Sequence, residues 1–401
     1  MSQPVFPPGI PARPTSTTST TSTTSTTSPP PLPPPAPAPQ SSASPSASPS
    51  PSLEQIVRIA HEQGHSDVHL GIGESPRFRA RGEIIRSDWP PTQPSEFQDW
   101  LRELLTPQQI DHFRQGKEFD GAHAFSFVRV RINLFDALRG AAMVLRLIPQ
   151  TILSLDDLKL PPVLQELCAR PKGLLLVTGP TGSGKSTTLA AMIDWINRNQ
   201  SRHILTIEDP IEFVHESQQS LIRQREVGRH TLQFHHALRA ALREDPDVIL
   251  IGEIRDKETL STAMEAAQTG HLVFGTLHTN SAVKTVERVL GMYQPEEQES
   301  VRQSFAESLL GIISQGLIKS AGGKRAAYHD LMINTDACKD YIKKGALDDV
   351  VDIMRRSDFD GMMTANQSLQ RLVEYGQVEA EKAVAVSPRP NELAQALRGR
   401  S

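Results

Sequence analysis

Cysteine is nearly absent from this chain. Its 401 residues hold two, Cys168 and Cys338. Two distant thiols make neither a disulfide framework nor a four-cysteine zinc site, and they demand no oxidising compartment. Long apolar runs are missing as well. Gly173–Val177 and Val248–Gly252 have the length of buried strands, far short of the roughly 18–20 residues that cross a bilayer. No basic start followed by an apolar stretch opens the chain, so no secretory leader is expected. The chain therefore reads as soluble and cytoplasmic, with no direct membrane insertion. A surplus of basic charge is lacking: 42 Lys+Arg stand against 46 Asp+Glu, a formal net charge of −4, and aromatics make up 5%. Both facts speak against a protein that wraps nucleic acid non-specifically.

The first stretch also lacks charge. Residues 1–52 contain one charged side chain, Arg13, and 16 of the 31 prolines, set among Ser/Thr runs. So little apolar surface cannot offset the entropy of ordering, which predicts a disordered tail with its Pro29–Pro39 run in polyproline II. A plain tether and a ligand for a proline-binding module both fit. The rest of the chain has ordinary globular composition and is long enough for two domains.

From Leu53 onward the periodicities begin. Leu53, Ile56, Val57 and Ala60 repeat at helical spacing. Val68–Ile72 and Phe78–Ile85 read as short strands, and Leu101–Phe113 as helical with Thr106-Pro107 as a helix start. Val128, Val130, Ile132 and Leu134 then share one face of a strand, and Arg129, Arg131 and Asn133 the other. Ala142–Ile148 is a further strand. This order predicts a small α+β domain over residues 53–149, followed by a linker near 150–160. Beyond it, Leu174–Val177, Ile204–Ile207, Val248–Ile251 and Leu272–Gly275 are short apolar runs separated by helical segments. That pattern predicts a parallel α/β sheet covered on both faces, within a domain running over 161–401. After about Thr285 the chain reads as mostly helical.

The chemistry sits at the ends of those runs. Gly179-Pro180-Thr181-Gly182-Ser183-Gly184-Lys185-Ser186-Thr187 matches G-x-x-x-x-G-K-[ST], after a predicted strand and before a predicted helix, as a P-loop requires. Its glycines let backbone N–H groups curl around phosphate, and the helix N-terminus adds favourable partial charge. Lys185 would reach the β- and γ-phosphates of ATP, and Ser186 would ligate Mg²⁺. The spacing excludes a dinucleotide site. Glu253 follows the buried run Val248–Ile251, where a carboxylate can hold Mg²⁺ or polarise the attacking water. Glu208, Asp209 and Glu212 crowd the end of another run. Like charges so close need a cation or a water network, and strand C-termini converge on the ligand crevice of such sheets. They can face the metal and γ-phosphate, or form an exposed acidic turn. His271 and His278 flank a strand at opposite ends, so they should not share a metal. Thr276 and His278 are placed to sense the γ-phosphate, though a structural histidine fits each position as well.

Taken together, these boxes resemble the type II/IV secretion and type IV pilus ATPases. They correspond to that family's Walker A loop, Asp box (Thr206–Phe213), Walker B with glutamate, and His box (Thr269–Thr279). Leu242-Arg243-Glu244-Asp245-Pro246-Asp247 and Gln224-Arg225-Glu226-Val227 are similar to the pilus-retraction (PilT/PilU) branch, and the resemblance runs from about Leu53 to Leu397. It implies a PAS-like N-terminal domain joined to a RecA-like ATPase core, assembled as a homohexamer with ATP between subunits. Arg131, Arg139 and Arg146 match the family arginines that reach the nucleotide. The implied work is pilus retraction and twitching motility, through an inner-membrane platform protein and possibly with paralogous pilus ATPases. A hinge would lie near Pro149–Leu160. Where the branch usually carries Ala-Ile-Arg-Asn-Leu-Ile-Arg-Glu, this chain has Ala337-Cys338-Lys339-Asp340-Tyr341-Ile342-Lys343-Lys344, which leaves an accessory paralogue open. A pilus extension or type II secretion ATPase is disfavoured by the missing four-cysteine insertion. A DNA motor is disfavoured by charge and aromatic content, and a non-hydrolysing ATP binder by the intact Lys185, Glu208 and Glu253.

Overall fold

The computed structural model describes residues 51–80, 82–148 and 151–399. The expected tail, the boundary at Pro149 and the first residue of the expected linker lie outside the described residues, apart from Pro51 and Ser52. Residues 51–399 belong to one compact unit built on two sheets.

Helix α1 (Leu53–Glu62) opens that unit. Ser52 caps it through a capping box with Gln55, and Leu53, Ile56, Val57 and Ala60 are buried. Strands β1 (Asp67–Gly71), β2 (Arg77–Ala80) and β3 (Glu83–Arg86) follow. Then come helices α2 (Pro94–Leu104) and α3 (Pro107–Gly116), and strands β4 (Glu118–Ala124), β5 (Arg129–Phe135) and β6 (Ala142–Ile148). The helical stretch expected over Leu101–Phe113 is the end of α2 and the body of α3, and the helix start expected at Thr106-Pro107 is where α3 begins, with Thr106 as cap and Pro107 unable to continue α2. Likewise Phe78–Ile85 is a hairpin of two strands. The sheet runs β3-β2-β1-β6-β5-β4, antiparallel at each pairing. Val130, Ile132 and Leu134 of β5 are buried in a core with α1 and α2, while Arg129, Arg131 and Asn133 take the other face.

The second sheet begins after α4 (Val163–Cys168) with β7 (Gly173–Thr178), α5 (Lys185–Asn199), β8 (His203–Glu208) and β9 (Leu221–Glu226). It continues through α6 (Phe234–Ala241), β10 (Val248–Ile251), α7 (Lys257–Thr269) and β11 (Leu272–Leu277). Helices α8 (Ala282–Leu290) and α9 (Gln298–Ser308) lead to strands β12 (Leu309–Lys319) and β13 (Arg325–Ile333). The chain closes with α10 (Asp336–Lys344), α11 (Leu347–Arg356), α12 (Ala365–Glu374), α13 (Ala380–Val386) and α14 (Pro390–Arg398). The strand order is β13-β12-β7-β11-β10-β8-β9, parallel except at β12–β13. Two apolar cores cover its faces, and a smaller one gathers Ile318, Leu369, Val378, Ala383 and Leu393.

The expectation of a mostly helical chain after Thr285 is corrected by β12 and β13. The run Leu309–Ile313 is as apolar as the central strands, and Gly322-Gly323 supplies the turn. Strand β9 also went unread, because Leu221–Glu226 alternates charged residues at a sheet edge. No described helix is long and apolar enough to cross a membrane.

Candidate active site

Strand β7 is buried at every residue and feeds the glycine loop, and α5 begins at Lys185 with Gly184 as its cap. The loop's backbone demands glycine. Gly179 and Gly184 take φ values of 144° and 91°. A Cβ on Gly179 would lie 2.2 Å from the Gln315 carbonyl oxygen, and one on Gly184 2.7 Å from Gln315 Nε2. Gln315, buried on β12, holds this loop. Its Nε2 donates to the Ser183 carbonyl at 2.7 Å, and its Oε1 accepts from Thr188 Oγ1 at 2.7 Å. Ser183 Oγ is buried without a protein partner. Lys185 Nζ donates to the Gly179 and Pro180 carbonyls at 2.8 and 3.2 Å. Burial lowers its pKa, against the pull of Glu253 and Glu212.

Parallel pairing brings the C-terminal ends of β7, β8, β10 and β11 to one edge. Glu208 ends β8. It accepts from Thr206 Oγ1 at 2.6 Å and Gln224 Nε2 at 3.1 Å. Burial nevertheless raises its carboxyl above the ordinary value. Glu253 stands just past β10, bonded to Arg255 Nη2 at 2.7 Å and 3.1 Å from His278 Nε2. The Arg255 hydrogen bond, outweighing partial burial, holds the Glu253 carboxyl below its ordinary value. One carboxyl is thus pushed toward its neutral form and the other kept ionised. Thr276 Oγ1 donates to the Gly252 carbonyl at 2.5 Å, which fixes the turn that presents Glu253.

These groups enclose a cleft of ≈ 470 Å³, a size suited to a small ligand. Thr181, Gly182, Gly184, Lys185, Ser186 and Thr187 line one side. Glu208, Asp209, Glu212, Glu253, Thr276 and His278 line the rest, and Arg146 enters from β6. Of the residues expected in the loop, Gly179, Pro180 and Ser183 shape it from behind. Arg131 borders a side cavity of ≈ 220 Å³ shared with Arg146, Thr187 and Glu212. It is tied to Asp120 at 2.6 Å. That bond keeps its guanidinium charged, with Asp209 and Glu212 adding to the effect. Arg139 is not brought to the cleft within the chain; it is exposed, 4.0 Å from Glu74. His271 lies at the far end of β11 with Nδ1 3.0 Å from the Ala266 carbonyl oxygen. Sequence reasoning missed Gln315 and Arg255, along with Leu317 and Arg325 at the cleft rim, and it named Gln224 in a motif without its bond to Glu208. A lone Ser314-Gln315 pair inside an apolar strand was the available signal for the first.

A glycine cradle closed to a Cβ at Gly179 and Gly184, a lysine against it, and glutamates on adjacent strand ends define a P-loop ATPase. The chain belongs to the Type II/IV secretion system protein family, which matches residues 50–387. It is 45% identical over 336 residues to the type IV pilus retraction ATPase PilT of Pseudomonas aeruginosa, covering 82% of this chain and 96% of that protein. It is 36% identical over 342 residues to the type IV pilus ATPase PilU of the same organism, covering 85% and 90%. A crystal structure of the pilus retraction motor PilT with bound ADP matches with a TM-score of 0.81 at 42% identity, over 86% of this chain and 100% of that one. The resemblance read from the sequence boxes is thus borne out.

Proposed function

We propose that this chain is the ATP-hydrolysing motor of type IV pilus retraction. In this reading it works as a homohexameric ring at the cytoplasmic face of the inner membrane, on a platform protein, and its pull gives twitching motility. One observation carries the reading: P-loop, Glu253 and His278 meet in one cleft of a chain similar to a retraction ATPase over most of its length. Residues 53–149 would be the PAS-like domain, 150–160 the linker, and 161–401 the RecA-like core.

The residues divide the work as follows. Backbone N–H groups of the loop and Lys185 bind the phosphates of ATP. Ser186, Glu208 and Glu253 are the oxygen ligands that fit Mg²⁺, whose charge would neutralise the phosphates when bound. Glu253, kept ionised by Arg255, can orient water and accept its proton. His278 at 3.1 Å steadies that carboxylate. Glu212, with Arg131 and Arg146, closes the cleft beside the P-loop, and an arginine fork suits phosphate oxygens. Arg139, exposed outside its own cleft and only loosely paired with Glu74 at 4.0 Å, can serve an adjoining subunit.

A second reading, an accessory PilU-like paralogue, is favoured by α10. Its altered segment Ala337–Lys344 sets Lys339 and Lys343 both on Glu307 of α9, so one carboxylate draws part of their charge away from a partner. An extension or type II secretion ATPase remains the third alternative within the family.

The test uses purified full-length protein with ATP and Mg²⁺. Wild type should release phosphate and elute as six copies by light scattering. Lys185→Ala and Glu253→Ala should stay folded with turnover at least about 100-fold lower. Wild-type rates in either variant would remove the site assignment.

A further inference from the structure

The segment Gln224–Glu226 plays no part in the mechanism above, yet it holds the loop that carries the acidic residues. Strand β9 pairs beside β8, with Glu226 opposite Glu208. Gln224 donates through Nε2 to Glu208 Oε1 at 3.1 Å and to the Phe213 carbonyl at 2.8 Å. Its Oε1 accepts from the His215 N–H at 2.8 Å. Glu226 Oε2 accepts from the Ile211 N–H at 3.2 Å. The chain from Glu208 to His215, which includes Glu212, is therefore pinned to β9 at four points.

Glu226 also reaches the other sheet. Its carboxylate is 4% exposed and lies 3.4 Å from Arg129 Nη2 of β5, itself 19% exposed. Arg129 Nε has no partner. Arg229 is the remaining cation, 3.7 Å from Glu226 Oε1 and half exposed. A buried carboxylate is costly unless its charge is paired. One oxygen atom, Oε2, thus takes both the Ile211 N–H of the acidic loop and the guanidinium from the six-stranded sheet. Displacing β5 changes what balances Glu226, and Glu226 in turn sets Ile211, next to Glu212.

We propose that Arg129 and Glu226 form a coupling pair through which the position of the six-stranded sheet sets the placement of Glu208 and Glu212 in the ATPase cleft. Both are positioning residues. The inference rests on the ATPase reading above. It makes turnover, rather than nucleotide affinity, the quantity that responds, because the P-loop contacts are untouched.

The experiment measures ATP turnover of the full-length protein as kcat and KM for wild type, Arg129→Gln, Glu226→Gln, the double variant and Arg129→Lys. Glutamine at 226 keeps an acceptor for the Ile211 N–H and removes only the charge. Each single Gln variant should lose about tenfold in kcat with KM within about twofold, and the double should be no worse than either single, as expected of residues in contact. Arg129→Lys should recover part of the loss. Melting temperatures taken alongside identify any variant that loses the fold. Should Glu226→Gln do so, Arg129→Gln and Arg129→Lys carry the test alone. Losses that multiply in the double variant, or Arg129→Gln with wild-type kcat, would overturn the inference. A wild type without turnover, with Lys185→Ala no different from it, would overturn the ATPase reading instead and take this inference with it.

Discussion

Replacing Gln315 by leucine tests whether the P-loop is held by β12. The side chain is 6% exposed and makes two bonds of 2.7 Å, to the Ser183 carbonyl and from the Thr188 hydroxyl. Leucine removes both. A buried polar group left without a partner costs about 1–3 kcal/mol. Thr188 can turn to the Gly184 carbonyl one helical turn back, so the Ser183 carbonyl bears most of the loss. The total comes to about 2–3 kcal/mol. At about 1–2 °C per kcal/mol for a unit of this size, the melting temperature should fall by about 2–6 °C. The loop should also loosen around phosphate and weaken ADP binding about tenfold or more. Thermal unfolding with and without ADP, together with calorimetric titration, reads both effects. A Gln315→Leu protein that melts within about 1 °C of wild type and binds ADP equally well would refute the clamp.

Other expectations follow from the same geometry. Burial raises the Glu208 pKa above its ordinary 4.5, so this group favours the folded state at low pH and loses that contribution as pH rises from 4.5 through its native value. Glu208→Gln should therefore melt higher than wild type at pH 7, with the difference shrinking toward pH 4, while ATP turnover collapses; an equal gain at both pH values would contradict the assignment. Arg255→Gln removes the bond that lowers Glu253, so the acidic limb of the kcat/KM profile should move to higher pH, and an unmoved limb would count against Glu253 as the base. Gly179→Ala should fail to bind nucleotide and should be destabilised by at least about 1–3 kcal/mol, because it combines backbone strain with a Cβ placed 2.2 Å from a backbone oxygen; normal binding in that variant would mean the loop is not built as described.

Much of the fold was legible in the sequence. The four central parallel strands are continuous apolar runs because both faces of β7, β8, β10 and β11 are covered. Strand β5 alternates because one face is core and the other polar. The P-loop and Glu253 were legible because triphosphate chemistry needs fixed spacing next to a strand. Strand β9 was not, since an edge strand that sets one buried Ile222 among exposed Arg223 and half-buried Arg225 carries no apolar signature. The β12–β13 hairpin was masked by Gly311 and Gly316, which sit tight against Met332 and Tyr328 of β13, and by the Ser314-Gln315 pair, which bonds to Thr178 and to the P-loop. Gln315 and Arg129 act through contacts more than 90 residues away in sequence, and no local pattern announces such pairs. Arg131 and Arg146 follow from the resemblance, whereas Arg129, which the pattern shows only as sharing the face of Arg131, makes the link to Glu226.

The central claim is that this ATPase drives retraction. The most direct measurement is deletion of its gene in the host, scoring surface pili and twitching, with complementation by wild type or Glu253→Ala. The account predicts hyperpiliated cells that do not move, rescued by wild type and not by Glu253→Ala. Bald cells would contradict it and assign the chain to extension. Normal pili with normal movement would likewise contradict it and shift attention to the altered α10 segment.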